Sequence, residues 1–429
     1  MTGDPRHPSG QPLLNGSMAV STEPANVSSH VSALRGTRPT DSTQLMIDLV
    51  ATERGLEALQ EEWNPLLKSS SADTLFLTWE WISTWWQVYG QLDVLHVLTA
   101  RLPDGRLVGI APLRRVKRGV RAVWRYDSIE FIGHGGDVTP EYLDIIAAPG
   151  HEATVVDAFA HKLCADDTID AIDLRPSSAA SATIARLEAR LRSNGGQVTR
   201  LPDSVCPVLS LPDTPEAFLA GRSRNYRKKM GEYERACRRD LQATVRTSRT
   251  QEEVSRDMDV LVDLHHRRWD GSSRSFQSPE YIEFHRCLGR TLFGRGWIRL
   301  FSLESGSSTI ASLYCFSYGG RYYYYQAGRD PFYTKHRVGL VLMHKVIQEA
   351  IKEGATLFDF LRGEEPYKFH WATHTVANVR LVYRKDAPTR AAARAQSVFE
   401  RVKSAANLVR KRFSQRVMPT PFVTGQRQS

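Results

Sequence analysis

No apolar run in this 429-residue chain approaches the roughly 20 residues a membrane-spanning helix needs. The N-terminus lacks the basic-then-apolar design of a secretory signal, which predicts a cytosolic protein. Cysteine is scarce. The five residues, at 164, 206, 237, 287 and 315, are odd in number and lack metal-ligand spacing, so they predict reduced, mostly buried thiols. A His/Cys metal cluster, a serine-nucleophile elbow and a GxxxxGK[ST] loop are all absent, which argues against zinc hydrolases and P-loop enzymes. Aromatic residues are missing from 1–43, a stretch rich in Ser, Pro, Gly and Thr that reads as a disordered leader.

What remains is the composition of an ordinary soluble protein, with 41% hydrophobic and 24% charged residues. The length predicts two or three domains. The net charge of +10 suits an anionic ligand, a nucleic acid or an acidic membrane surface.

The stretch from Arg321 to Lys368 is the most informative. Tyr322 to Tyr325 is a strand whose alternate rings face opposite sides, and Ala327, Gly328 and Asp330-Pro331 end it in a loop. From Gly339 the period becomes helical, with Leu340, Met343, Ile347 and Ile351 on one stripe and Lys345, Gln348, Glu349 and Lys352 opposite. Gly354 stops that helix, and Thr356 to Leu361 is a short strand carrying Asp359. Such strand–helix–strand units bind ligands beyond the carboxyl ends of their strands, beside the helix N-terminus. Here that is Gly328 to Gly339, with Arg362 to Lys368 leaving on the same side.

The order of elements repeats. A hairpin around Gly105, strands at 128–132 and 142–146, a helix at 152–164 and the strand Ile169–Leu174 precede a similar series ending at Thr356–Leu361. IDAIDLR beside ATLFDFLR, each directly after a helix, is the clearest local match. The expected architecture is α/β, with two weakly similar mixed-sheet halves at 44–205 and 210–386. The Trp79, Trp81, Trp85 and Trp86 helix reads as an aromatic core helix. Arg222 to Arg239, with eight basic and two acidic residues, reads as a helix with a solvated face or one that binds phosphates. Another helix, 252–269, gathers His265 to Arg268. Adjacent histidines diverge on a helix, which disfavours a shared metal. Residues 387–429 form a basic tail in which 391–416 is an amphipathic helix suited to an anionic membrane or to packing back on the domain.

DFLRGEEPYK, Asp359 to Lys368, resembles the signature of the CelD-like (BioF-like) acetyltransferase domain family of the GNAT superfamily. Phe76-Leu77-Thr78-Trp79 and Gly109 to Leu113 look like that family's other landmarks, and the resemblance spans about residues 45–385. It implies a tandem GNAT-type fold with flanking helices, acyl-CoA (acetyl-CoA first) as donor, and a role near cellulose or exopolysaccharide production. It also implies kinship with Fem-type transferases that use aminoacyl-tRNA. The superfamily's phosphate loop aligns with His336, Arg337, Val338, Gly339, Leu340 and Val341, with His first and Val last where the family has Gln or Arg and a small residue. Ala327 and Gly328 would offer backbone groups to the pantetheine arm.

Acyl transfer to an amine needs a base, donors for the oxyanion and an acid for the thiolate. Asp359 and Glu364 or Glu365 are the candidate bases, with local capping as Asp359's competing role. Tyr367 or Tyr325 is the candidate acid, and Lys368 or Arg362 could hold an anionic group. The expected function is a metal-free N-acyltransferase acting on a sugar or small-molecule amine. The alternatives are a tRNA-dependent transferase contacting tRNA through 222–239, or a non-catalytic scaffold of a polysaccharide-synthesis complex at the inner face of a membrane.

Overall fold

The computed structural model describes residues 44–120, 124–269, 273 and 275–385. The expected leader (1–43) and basic tail (387–429) lie outside them. Among the described residues no helix is long and apolar enough to cross a membrane.

The chain begins with β1 (Met46–Val50), α1 (Glu53–Glu57), α2 (Gln60–Ser69) and α3 (Trp79–Tyr89). Then come β2 (Val94–Leu95), β3 (Val97–Arg101), β4 (Leu107–Ala111), β5 (Leu113–Val120), β6 (Trp124–Phe131) and β7 (Ile146–Ala147). α4 (Glu152–Ala165), β8 (Ala171–Ser178), α5 (Ala182–Ser193) and β9 (Gln197–Ser210) follow. The second series is α6 (Pro215–Ala220), α7 (Arg224–Leu241), β10 (Thr244–Thr247), α8 (Gln251–Trp269), α9 (Pro279–Gly294), β11 (Ile298–Ser305), β12 (Ser308–Tyr318) and β13 (Arg321–Arg329). It closes with α10 (Val338–Lys352), β14 (Leu357–Asp359), α11 (Pro366–Phe369) and β15 (His374–Arg384).

Eleven strands form one mixed sheet in the order β10-β11-β12-β13-β14-β9-β15-β8-β6-β5-β2, and β1-β3-β4-β7 form another. The two parallel crossovers are equivalent. Ser128–Glu130 pair with Ala171–Asp173, and Arg321–Tyr323 pair with Leu357–Asp359. Each ladder ends on the aspartate of the matched sequence pair. β9 pairs β14 on one side and β15 on the other, while β15 pairs β8. The last strand of each series therefore lies beside the other series, and the two interlock through the sheet.

Alternation along β13 divides the core. Tyr323 joins the cluster containing Phe76, Trp81 and Phe284. Tyr322 packs with Phe358, Leu342 and Val346 on the face covered by α10. Thr78 caps α3 through its hydroxyl, and Trp81 and Trp85 on that helix are at most 1% exposed. Truncating Trp81 to alanine would cost about 3–5 kcal/mol. The expected strand at 142–146 shrinks to Ile146–Ala147, because Tyr142 adopts φ +60° and breaks the extended run. The segment before it becomes a loop that reaches β14. The five cysteines are free thiols, three of them buried.

Candidate functional site

β13 and β14 touch only through three residue pairs and then part. A bulge promotes the parting. Tyr314 opposes Gln326 and Cys315 opposes Tyr324, so Tyr325 is an extra residue that bends β13. Beyond the bulge, Asp330 N–H bonds Ile310 C=O and the register runs 311↔329, 312↔328, 313↔327. Antiparallel alternation then turns the backbone groups of Ala327 and Arg329 away from β12 and into the gap. His265 Nδ1 lies 3.1 Å from the Ala327 carbonyl, while its Nε2 is 2.9 Å from Ser273 Oγ. Burial lowers the pKa of His265 to about 4. The neutral ring donates from Nδ1 and accepts from Ser273, leaving the Ala327 N–H and both Arg329 groups without a partner among the described residues.

α10 starts beside the gap. Arg337, at φ +56°, precedes the first turn without a side-chain cap. Leu340 and Val341 amides bond Arg337 C=O, whereas those of Val338 and Gly339 face no acceptor among the described residues. A helix N-terminus of this kind attracts anions. A Cβ built on Gly339 would meet only Arg329 Cδ, at 3.4 Å. Packing within the protein therefore does not require glycine there, and the open side suits a close ligand.

A cavity of about 370 Å³ lies between these amides and the end of β13, bordered by Arg268, Arg329, Arg337, Tyr324 and Tyr367. No carboxylate lines it, and none of the three arginines has an ion-pair partner among the described residues. Burial, then the charges of Arg268 and Arg337, lower the pKa of Arg329, while Thr334 Oγ1 takes one of its N–H groups at 2.8 Å. A second cavity of about 370 Å³ opens across the gap, with Gln326, Ser273, Arg362, Glu365 and Lys368 among its walls and Thr139 from the 132–145 loop at its edge. Arg268, Tyr324, Ala327 and Tyr367 border both. Sharing these residues, the two cavities adjoin where β13 and β14 part.

Of the residues expected from the sequence, Ala327, Gly328, Arg337, Val338, Gly339 and Leu340 line the first cavity. Tyr325, Arg362, Glu365 and Lys368 line the second. Tyr367 lines both. Its hydroxyl lies 3.3 Å from that of Tyr324, and burial, with Tyr324 and Glu365 adding, raises its pKa well above the usual phenol.

Three expectations need correction. Asp359 reaches neither cavity. It is 0% exposed, accepts from Tyr142 Oη at 2.8 Å and the Leu361 amide at 2.8 Å, and has Arg321 at 3.8 Å. It locks the end of β14 and is not placed to act as a base. Glu364 is exposed and borders neither cavity. His336 turns away from the helix start toward Asp240, 3.6 Å distant, because the left-handed Arg337 reverses the chain between it and Val338.

Several other assignments change in character. Gly328 lines the cavity, but its lack of a side chain serves packing. A Cβ there would lie 2.6 Å from Leu264 Cβ and 2.7 Å from His265 N. Arg362 pairs with buried Glu141 and with Asp203 at 3.3 Å, joining its turn to the first series. Lys368 Nζ donates to Arg362 C=O at 2.6 Å and pairs with Glu365 at 3.1 Å. The ring of Tyr325 packs edge-on against Trp81 and Phe316, away from the role of acid.

Arg268, Arg329, His265 and Ser273 were not singled out for this site. Arg329 had one legible signal, as the basic residue closing the strand that begins with the tyrosine run. The approach of α8 and of the 132–145 loop had none.

Residues 224–369, α7 to α11, match the family model described as "Acetyltransferase (GNAT) domain". No match is found among curated proteins. Among solved structures, the crystal structure of FemX aligns with a TM-score of 0.53 at 12% identity, over 76% of this chain and 96% of that one. L-PGS from Bacillus licheniformis aligns at 0.45 and 12% identity, over 76% and 92%. A tandem GNAT protein from the clavulanic acid biosynthesis pathway aligns at 0.43 and 12%, over 80% and 100%. The fold is mixed α/β with a large mixed sheet, as in FemX, and the stretch that matches the GNAT model holds the helix start and the parted strands.

Proposed function

We propose that the protein is an N-acyltransferase that moves an acyl group from acyl-CoA, acetyl-CoA first, to an amine on a sugar or small metabolite. One observation carries the reading. Where β13 and β14 part, a cationic cavity with free helix amides adjoins a second, polar cavity bordered by a carboxylate. The diphosphate rests on the Val338 and Gly339 amides with Arg329 and Arg337, and the pantetheine arm pairs along Ala327 and Arg329 as an added strand. The acceptor amine attacks the thioester carbonyl from the second cavity. As the C–N bond forms and the C–S bond breaks, Glu365 takes the amine proton through water and Tyr367 protonates the thiolate. The raised pKa of Tyr367 keeps it protonated for that task. A role beside cellulose or exopolysaccharide synthesis is part of the proposal and rests on the resemblance of the Asp359–Lys368 stretch.

Calorimetry with acetyl-CoA, free CoA and a long-chain acyl-CoA tests the donor. Micromolar binding of at least one is expected, and absence of heat with all three removes the reading. A second reading, transfer from aminoacyl-tRNA, draws support from α7, whose Arg224, Lys228, Arg235 and Arg238 are exposed. It requires binding of bulk tRNA that weakens steeply with salt.

A further inference from the structure

The second cavity holds a charge that the transfer described above does not use. Among the described residues, three cationic side chains and one carboxylate line it: Arg268, Arg362, Lys368 and Glu365. Two of the cations are compensated. Arg362 pairs with Glu141 and with Asp203 at 3.3 Å, and Lys368 pairs with Glu365 itself at 3.1 Å. His265, its pKa lowered by burial to about 4, is neutral. Of these groups, Arg268 has neither an ion-pair nor a hydrogen-bond partner among the described residues.

The side chain's surroundings decide which cavity the charge serves. The guanidinium carbon of Arg268 lies 4.7 Å from the ring centre of Trp269, and Trp269 borders the second cavity but not the first. The diphosphate already has Arg329 and Arg337. Stacking on an indole occupies the flat face of a guanidinium and holds the group in place. Its five N–H donors lie on the edge and stay available. A cation held in this way gains more from a ligand's anion than a freely moving arginine would, because less side-chain freedom remains to be lost. Thr139, Ser273, Ser275 and Gln326, the other polar walls, are uncharged and cannot supply the counterion.

An acceptor entering this cavity meets two unlike groups. Glu365 takes a proton from its amine, and Arg268 offers a fork of donors that matches a carboxylate or a phosphate. We propose that the acceptor is an amine that also carries an anionic group, and that Arg268 selects it by pairing with that group. This rests on the acyl-CoA reading and narrows its acceptor class. Amino acids and phosphorylated amino sugars fit, whereas an uncharged sugar amine or a plain diamine leaves the guanidinium without a counterion in the complex. A site built around a polar group discriminates strongly against analogues that lack the matching partner.

Release of coenzyme A from acetyl-CoA by the full chain, followed with two matched pairs of acceptors, tests it. L-Lysine differs from cadaverine only by a carboxylate, and glucosamine 6-phosphate from glucosamine only by a phosphate. In at least one pair the anionic member is expected to have a kcat/KM at least about tenfold above its partner's, and the pair that shows it identifies the anion. Arg268→Gln should bring that ratio to within about twofold of one, and Arg268→Glu should turn it toward the member without the anion. Equal use of both members in each pair overturns the assignment, as does turnover of none of the four by a protein that binds acetyl-CoA. A loss in Arg268→Gln that is the same for both members also overturns it, since the guanidinium would then act on the thioester and not on the acceptor. Each of these results leaves the acyl-CoA reading in place. Absence of acetyl-CoA binding in calorimetry removes that reading, and this one with it.

Discussion

Tyr142 donates its hydroxyl to Asp359 at 2.8 Å, joining the 132–145 loop to the final residue of β14 at the place where β13 departs. The carboxyl is fully buried and its pKa is raised, mainly by desolvation. Removing the donor leaves a buried acceptor partly unsatisfied. Tyr142→Phe is expected to lower unfolding stability by about 1–3 kcal/mol, read as a drop in melting temperature. Acetyl-CoA affinity should stay within about twofold, because neither side chain meets the donor. A large loss of affinity without destabilisation would return Asp359 to the site.

The two glutamates of the Arg362–Lys368 turn separate cleanly. Glu365 borders the second cavity and Glu364 does not. Glu365→Gln should reduce kcat roughly 100-fold with little change in KM for acetyl-CoA, whereas Glu364→Gln should match wild type. Equal effects from both variants would mean that the turn as a whole, and not one carboxylate, matters. Tyr367→Phe should resemble Glu365→Gln in kcat, and recovery with a donor whose leaving thiol is more acidic would identify the hydroxyl as the acid.

Local chemistry was legible in the sequence and long-range chemistry was not. The apolar stripe from Met343 to Ile351 fixes α10, and the tyrosine run fixes β13, because helix and strand periods are written in neighbouring residues. The strand read at Thr356 to Leu361 is only three residues long in the fold, Leu357–Asp359, so β13 parts from it sooner than the sequence suggests. Asp359 and His336 were misplaced for a different reason. Their orientation depends on single backbone reversals, at Leu361 and Arg337, both non-glycine residues with positive φ. Nothing in residue type announces those reversals. The pairing of β9 with β15 joins positions 166 to 187 apart, beyond any local pattern.

Two glycines at the donor cavity give opposite outcomes. Gly328→Ala forces a methyl against α8 at 2.6–2.7 Å and should cost about 1–3 kcal/mol, seen in urea unfolding. Gly339→Glu meets only Arg329 Cδ at 3.4 Å, so the fold survives. The added carboxylate competes with the diphosphate for the arginines and repels it, and acetyl-CoA affinity should fall at least about 100-fold. Unchanged affinity in Gly339→Glu would take the start of α10 out of the site.

Asp144 sets a pH dependence remote from the cavities. It is buried, accepts from the Ile145 amide at 2.7 Å and from Thr183, and has no cation among its partners. Desolvation raises its pKa from 3.8 to about 6 despite those hydrogen bonds. For an acid raised in the folded state, the native protein keeps a proton that the unfolded chain has released between those two values. Stability must therefore fall as pH rises through that window, by about 3 kcal/mol in all for a shift near two units, and the slope fades once pH passes the folded value of about 6. Asp144→Asn keeps the shape and removes the titration. Urea unfolding of both proteins from pH 4 to pH 7 should show the wild type losing about 2 kcal/mol relative to the variant, most of it below pH 6. Taking the difference cancels every other titrating group, so a flat difference would mean that this carboxyl titrates as it does in water.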